Sequence, residues 1–242
     1  MLEGLYSAAA GMSAQQEQLD AIGNDIANLS TSGYKSERVS FSDLLYNPTD
    51  IAGTETSVGS GASAQVMGFS ESQGAIKETG DPLDLAVEGE GYFQVARPGG
   101  GTALTRDGAF GTDASGTLVN GEGNRLVPPV KIPAGVANSE VSIAADGTVL
   151  ARGKKVGQIT LVTVTSPGHM LADGAGEYTP TAASGPVKGA GGHIRQGALE
   201  ESNVDLGREM TDMVSTQRAY QLASSAIQNE SQMMTIANEL RP

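Results

Sequence analysis

Apolar residues recur at seven-residue intervals at both ends of the chain: Leu5, Met12, Leu19 and Ile26 near the start, and Leu206, Met213, Tyr220, Ile227 and Met234 near the end. That spacing predicts a helix with one face packed against another helix. Leu2, Ala8, Ala9, Ile22 and Leu29 add the intervening three- and four-residue steps, so a helix is predicted over residues 3–29. It should end around Ser30-Thr31-Ser32-Gly33, where Gly33 can supply a left-handed cap. Gly11 and Gly23 each weaken this helix by about 1 kcal/mol relative to Ala. They are either tolerated glycines or points where another helix comes close.

The second helix is predicted to start near Ser202-Asn203, with Asn203 as the N-cap candidate and Asp205 and Glu209 at the positive end of the helix dipole. From Leu206 to Leu240 there is no Pro and a single Gly, Gly207. The two helices would be about 40 Å and about 50 Å long at 1.5 Å per residue. No third helix separates them, so each ladder requires a partner: the other end of the chain, a neighbouring copy, or both. Met210, Val214, Met233, Ile236 and Ala237 lie off the second ladder and leave apolar surface that a neighbour could cover.

Between the ends the period changes. Asp84–Val87, Tyr92–Val95 and Gly157–Val164 read as strands, separated by turn signals at Pro98–Gly101, Asp113–Gly116 and Asn120-Gly121. The strongest hairpin signal is Val141–Leu150, where Asp146-Gly147 offers the positive φ angles of a two-residue turn. Residues 41–46 form a short apolar patch. Residues 52–64 are almost entirely Ala, Gly, Ser and Thr, too little apolar surface to order themselves alone. No internal repeat is evident. The expected architecture is α+β: paired long N- and C-terminal helices, coiled-coil-like, plus one β-rich middle domain. Its parts are a discontinuous terminal helical domain (1–46 and 199–242), an extended linker or arm (47–72) that orders on docking, and a β-rich domain (73–198).

Composition narrows the partners. The 242 residues carry a net charge of −13, spread as −4 over 1–46, −5 over 47–198 and −4 over 199–242. Nucleic acid and anionic membrane surfaces need clustered Lys and Arg, so neither is expected as a partner. Association of the ends must come from apolar burial, against the overall charge. There is no Trp and few aromatics, with four Phe and six Tyr, so the middle is expected to build its core from Val, Ile, Leu and Ala. The absence of Cys excludes disulfides and thiolate chemistry. No stretch is long and apolar enough to span a bilayer, so no direct membrane insertion is expected. The first basic residue is Lys35, so a Sec-type signal peptide with a positive n-region is not expected either.

No catalytic constellation emerges, and no cofactor or metal site is expected. His169 and His193 stand in loop-like Gly/Pro surroundings, where a solvated side chain is the ordinary outcome. Glu88 and Glu90, with Asp81 and Asp84 nearby, could suggest acid–base work, but they sit among glycines at a strand start. Asp113–Gly116 has part of a calcium loop without its remaining ligands or closing Glu. Gly153-Lys154-Lys155 lacks the rest of a phosphate-binding loop.

Several segments carry a family resemblance. Asn24, Ile26, Ala27 and Asn28, followed by Thr31, Gly33, Tyr34 and Lys35, resemble the N-terminal signature of the bacterial flagellar rod and hook proteins, with Asp25 where that family usually has a second Asn. Asp84–Val95 and Leu104–Phe110, which contains Thr105-Arg106-Asp107-Gly108, resemble the family's β-domain segments. Ser202, Asn203 and Val204, with Gln217, Arg218, Ala219 and Tyr220 beyond, resemble its C-terminal signature. Room for only one β domain implies a rod protein, of the distal class before the proximal, and not a longer hook subunit. The resemblance implies a structural, non-enzymatic subunit that forms a homo-oligomeric helical polymer and contacts other flagellar rod and hook subunits. It further implies passage through the flagellar type III export apparatus without signal cleavage, residence in the basal body within the cell envelope, and transmission of torque. A hook-type axial subunit, a secreted fibre or adhesin subunit, and a wall hydrolase are the rival readings.

Overall fold

A computed structural model describes residues 2–44, 46–51 and 54–239. Leu45 of the expected apolar patch, residues 52 and 53 of the expected arm, and Leu240 at the expected helix end lie outside the described residues. In chain order the elements are α1 (Leu2–Ala27), β1 (Glu37–Asp43), β2 (Tyr46–Ile51), β3 (Thr54–Gly59), β4 (Ala62–Phe69), β5 (Ile76–Glu78), β6 (Leu85–Glu88), β7 (Tyr92–Ala96), β8 (Thr102–Thr105), β9 (Gly111–Thr112) and β10 (Leu118–Val119). They continue as β11 (Arg125–Val127), β12 (Val141–Ile143), β13 (Thr148–Ala151), β14 (Lys154–Gln158), β15 (Leu161–Thr163), β16 (Leu171–Gly174), β17 (Glu177–Thr179), β18 (Lys188–Gly189), β19 (His193–Gln196), β20 (Ala198–Glu200) and α2 (Leu206–Glu239). The class is α+β, with a long helix at each end and a β-rich middle.

The chain divides into two compact units. The first comprises residues 1–26, 37–67 and 205–242, and the second 27–36 and 68–204. In the first, α1 and α2 run antiparallel. The start of α1 meets the end of α2 at Gly4, where a Cβ would stand 2.9 Å from the Glu230 carboxylate oxygens. At the opposite ends, the charge of Asp25 acts on Glu209. α1 buries Ala14, Ala21, Ile22 and Asp25. Strands β1 and β4 form a two-stranded ribbon, and the chain just before β4 lies against α1: a Cβ at Gly61 would lie 3.0 Å from the Ala10 methyl. β2 and β3 pair antiparallel from Tyr46↔Gly59 to Ile51↔Thr54. Most of the described residues between 47 and 69 thus lie in paired strands, where strand-to-strand hydrogen bonds take the place of apolar burial.

In the second unit, seven strands run in the order β16-β17-β8-β7-β11-β10-β9, with β15 joining through β7 and β18 through β15. A three-stranded sheet β12-β13-β14 and the pairs β19–β6 and β20–β5 complete it. Its core includes Leu85, Val87, Phe93, Val95, Phe110, Leu126, Val130, Val149 and Ile159. Phe93 and Phe110 meet edge to face, with centroids 5.2 Å apart. A second cluster gathers Phe69, Tyr92, Leu104, Val164, Met170 and Tyr178. The main core is aliphatic as expected, with Phe93 and Phe110 its two aromatic members, and the smaller cluster is the aromatic one. Three of the four Phe are buried in this unit, because large rings fill more of a small β core than a Val or Ala can.

Two expectations are corrected. The run 157–164 is not one strand, because the backbone N–H of Ile159 bonds Gly147 O and splits it into β14 and β15. In the β12–β13 hairpin, Ala144 N–H bonds Thr148 O, which leaves residues 145–147 as the loop. Within that loop only Gly147 has positive φ, +81°, as a three-residue turn requires.

Candidate assembly faces and a buried ionic junction

The N-terminal signature, the β-domain Thr-Arg-x-Gly segment and the C-terminal signature meet inside the second unit. Lys35 and Glu200 are fully buried, and Lys35 Nζ lies 2.5 Å from Glu200 Oε1. Arg106 Nη1 donates to Glu200 Oε2 at 2.9 Å, and Arg106 Nη2 donates to Gly89 O at 2.8 Å. Lys35 also donates to Ser72 O, and the Gly74 N–H donates to Glu200 Oε1. The Arg106 guanidinium stacks over Tyr92, 5.1 Å from the ring centroid. Burial lowers the Lys35 ammonium below its ordinary value, while the hydrogen bond and charge of Glu200 pull it back up. Burial pushes Tyr92 up to about 12.

Gly33 makes this approach possible. Its φ is +68°, and a Cβ there would fall 2.4 Å from the Arg106 carbonyl carbon. Its N–H donates to Glu200 O at 2.7 Å. α1 has already ended at Ala27, so Gly33 serves the junction and not the helix cap that its position predicted. Asn203 is corrected in the same sense. Its Nδ2 donates to Ser70 O, Ser72 O and Ser72 Oγ, and its Oδ1 accepts the Ser36 N–H. The N-cap of α2 is Asp205, whose Oδ1 accepts the N–H groups of Gly207 and Arg208. Val204 is buried, Thr31 bonds Asn28, and Ser202 Oγ accepts the Val204 N–H. Tyr34 is half-buried, its carbonyl accepting the Asn203 N–H.

In the first unit, the helix-borne part of the N-terminal signature meets β1. Asp25 is buried and its Oδ1 accepts the Glu37 N–H at 3.0 Å. Asn24 Nδ2 donates to Glu37 Oε1 at 2.8 Å. Burial raises Glu37 above its ordinary value, opposed by the Asn24 hydrogen bond and reinforced by Asp25 and Glu17. Burial likewise raises Glu209, with the charges of Asp25 and Asp212 adding.

Of the ladder residues, Leu5, Met12, Leu19, Ile26, Met213, Tyr220, Ile227 and Met234 are half-buried, and Leu206 is exposed. The buried face of α1 instead runs through Ala14, Ala21, Ile22 and Asp25, beside its ladder. α2 buries only Thr216 among its described side chains, and Thr216 Oγ1 bonds back to Asp212 O. Met210, Val214, Leu222, Met233 and Ile236 are exposed. Gln217 and Arg218 are exposed, Ala219 is half-buried, and Ala27 of the N-terminal signature is exposed. Nothing lies within 4 Å of a Cβ built at Gly11 or Gly23.

Of the residues weighed for catalysis, His193 and Glu88 stand opposite each other on the paired strands β19 and β6. His169 and His193 are exposed, as are Glu88 and Glu90. Asp113 Oδ1 accepts from Ser115 N, Ser115 Oγ and Thr117 N, so its carboxylate is engaged by its own loop. The Ser115 hydroxyl and Thr117 N–H hold it down to about 2. No group of His, Asp and Glu suited to a metal ion occurs among the described residues. No helix among them is long and apolar enough to cross a membrane.

Sequence reasoning missed Glu200 as the hub of the junction. The available signal was two cations within signature segments, Lys35 and Arg106, and one anion, Glu200, two residues before Ser202.

A long helix at each end, a β-rich middle and these three converging signatures define an axial flagellar subunit. Residues 5–35 match the flagella basal body rod protein family, residues 86–151 the flagellar hook protein FlgE/F/G D1 domain, and residues 195–240 the flagellar basal body rod FlgEFG protein C-terminal family. The chain is 34% identical to flagellar basal-body rod protein FlgG of Borreliella burgdorferi, covering 100% of this chain and 99% of that one. It is 37% identical to FlgG of Bacillus subtilis, with 97% of each covered. It is 31% identical to flagellar basal-body rod protein FlgF of Mesorhizobium japonicum, over 91% of this chain and 90% of that one. The chain belongs to the flagellar basal-body rod protein family.

Proposed function

We propose that this chain is a structural subunit of the bacterial flagellar basal-body rod, polymerising helically into the shaft that carries torque from motor to hook. One observation carries the reading: α2 is 34 residues long and buries only Thr216 among its described side chains, while its apolar residues stay half-buried or exposed. A long helix with so shallow a packed face gains little from burial, so a neighbour that covers it would stabilise it. The family's name supplies the kind of neighbour, and the greater similarity to FlgG than to FlgF favours the distal position.

In this reading the terminal parts, 1–46 and 199–242, form the inner helical domain. Residues 47–72 are the arm between subunits, and 73–198 form the outer β domain. The seam Leu5, Met12, Leu19, Ile26, Leu206, Met213, Tyr220, Ile227 and Met234 packs coiled-coil fashion within and between copies. The role is structural and not enzymatic, in the basal body, after export through the flagellar type III apparatus without a cleaved signal.

The test is Ile227→Pro, which breaks α2 at a cost of about 3 kcal/mol or more. Cells carrying it should lack complete rods and swimming, while the purified variant keeps its β-sheet circular dichroism. Normal motility would refute the reading.

A further inference from the structure

Met210, Val214, Arg218 and Leu222 stand at four-residue steps on α2 and form a ridge about 18 Å long. Met210 is 55% exposed, Val214 48% and Leu222 72%. Beside the ridge runs a row of small side chains, Thr211, Ser215 and Ala219, which with the ridge lines a shallow groove. The ridge is apolar apart from one cation near its centre, and Arg218 has no ion pair among the described residues.

A second apolar surface with the opposite charge lies elsewhere in the same unit. The β1–β4 ribbon exposes Phe41 on β1 and, on β4, Val66 and Met67, which alternate between its two faces. Asp43 is exposed, shares a face of β1 with Phe41 by alternation, and also has no ion pair among the described residues. The eight residues of β4 extend about 27 Å, enough to lie along the whole ridge.

We propose that the α2 ridge seats the β1–β4 ribbon of a neighbouring copy of this chain, with Arg218 paired to Asp43 across the contact. The proposal rests on the reading of the chain as a polymerising subunit and specifies which faces meet. Two complementary charges inside apolar surroundings set the register of the contact, and the apolar area supplies the attraction that a chain of net charge −13 otherwise lacks. The two surfaces are different faces of one chain, so the contact is heterologous. Such a contact generates an open filament when its rotation does not close a ring.

A charge-swap cycle in cells tests this, with rods counted in purified basal bodies. Arg218→Asp and Asp43→Arg should each lower the number of complete rods by about tenfold, the scale of a desolvated interfacial ion pair. The double variant should recover most of that loss. Unchanged circular dichroism of each purified variant shows that folding is not the cause. Single variants without effect, or a double variant no better than the singles, overturn the face assignment while leaving the rod reading intact. Complete rods in cells lacking the chain would instead overturn the rod reading.

A second arm uses the absence of native Cys. Rods assembled from a mixture of Ser215→Cys and Met67→Cys chains should cross-link between the two types with a short bis-maleimide, which adds one thiol at each end. Cross-linking of Ser215→Cys chains to one another alone would mean that α2 seats α2, and would overturn the proposal.

Discussion

Lys35 and Glu200 are 165 positions apart in the chain, yet Lys35 Nζ lies 2.5 Å from Glu200 Oε1 with both side chains fully buried. One residue follows the turn beyond α1, the other ends the last strand before α2, and Arg106 closes the group from β8's end. The two ends of the second unit's backbone are therefore clasped together where the chain leaves for its helices. The clasp is costly to form, because both ions leave water, and costly to break, because the survivors stay buried.

Glu200→Ala should therefore destabilise the second unit by about 3–5 kcal/mol, since it leaves Lys35 and Arg106 buried without their shared anion. Urea unfolding followed by tyrosine fluorescence measures this. A loss below about 1 kcal/mol would show that the junction is a passive by-product of folding.

Asn203→Ala should cost about 1–3 kcal/mol, from unmaking the hydrogen bonds that hold residues 36, 70 and 72 together. The helix content of α2 should be unchanged, because Asp205 caps it. A large fall in helical circular dichroism with an intact β unit would return the capping role to Asn203.

Gly11→Ala and Gly23→Ala should each stabilise α1 by about 1 kcal/mol, since an added methyl meets nothing within 4 Å at either site. Gly33→Ala should do the reverse, because its positive φ and the 2.4 Å approach to Arg106 exclude a methyl group. Thermal melts of the three variants beside the parent chain decide it. Equal effects at all three positions would contradict the geometry.

The terminal unit should respond to pH through Glu37 and Glu209, both raised chiefly by burial. A carboxylate raised in the folded state binds protons more readily folded than unfolded, so its burial penalty is largest above the folded value and vanishes below the unfolded one. Melting of the helical signal should rise as pH falls from neutral toward the ordinary value of 4.5. Glu37→Gln should flatten that rise while keeping the Asn24 hydrogen bond. The carboxylates of Asp113, Asp146 and Asp173 are held below their ordinary values and belong to the other unit, so their loss comes at lower pH. A helical melt that falls steadily on mild acidification would contradict the assignment.

Much of this architecture was legible in the residues. The apolar steps predicted a helix over 3–29 and one starting near Ser202-Asn203, and α1 and α2 run Leu2–Ala27 and Leu206–Glu239, so the second begins a few residues later than expected. Periodicity works there because a helix repeats its environment every turn. The junction was not legible, because an isolated Lys, Arg or Glu reads as a solvated charge until the fold brings its counterion from 94 or 165 positions away. Asn203 failed for a related reason: Asn before a helical pattern is ordinarily a cap, and only the tertiary contacts of Ser36, Ser70 and Ser72 redirect it. The run 157–164 misled because its alternation of Ile159, Leu161 and Val164 with polar residues carries no mark of the Ile159–Gly147 hydrogen bond that divides it.

Hydrogen exchange along residues 206–239, compared between the isolated chain and assembled rods, bears most directly on whether α2 is completed by neighbouring copies. Amides of α2 should exchange quickly in the isolated chain, whose helix has almost no buried face, and be protected by orders of magnitude in the rod. Equal protection in the two states would contradict the account.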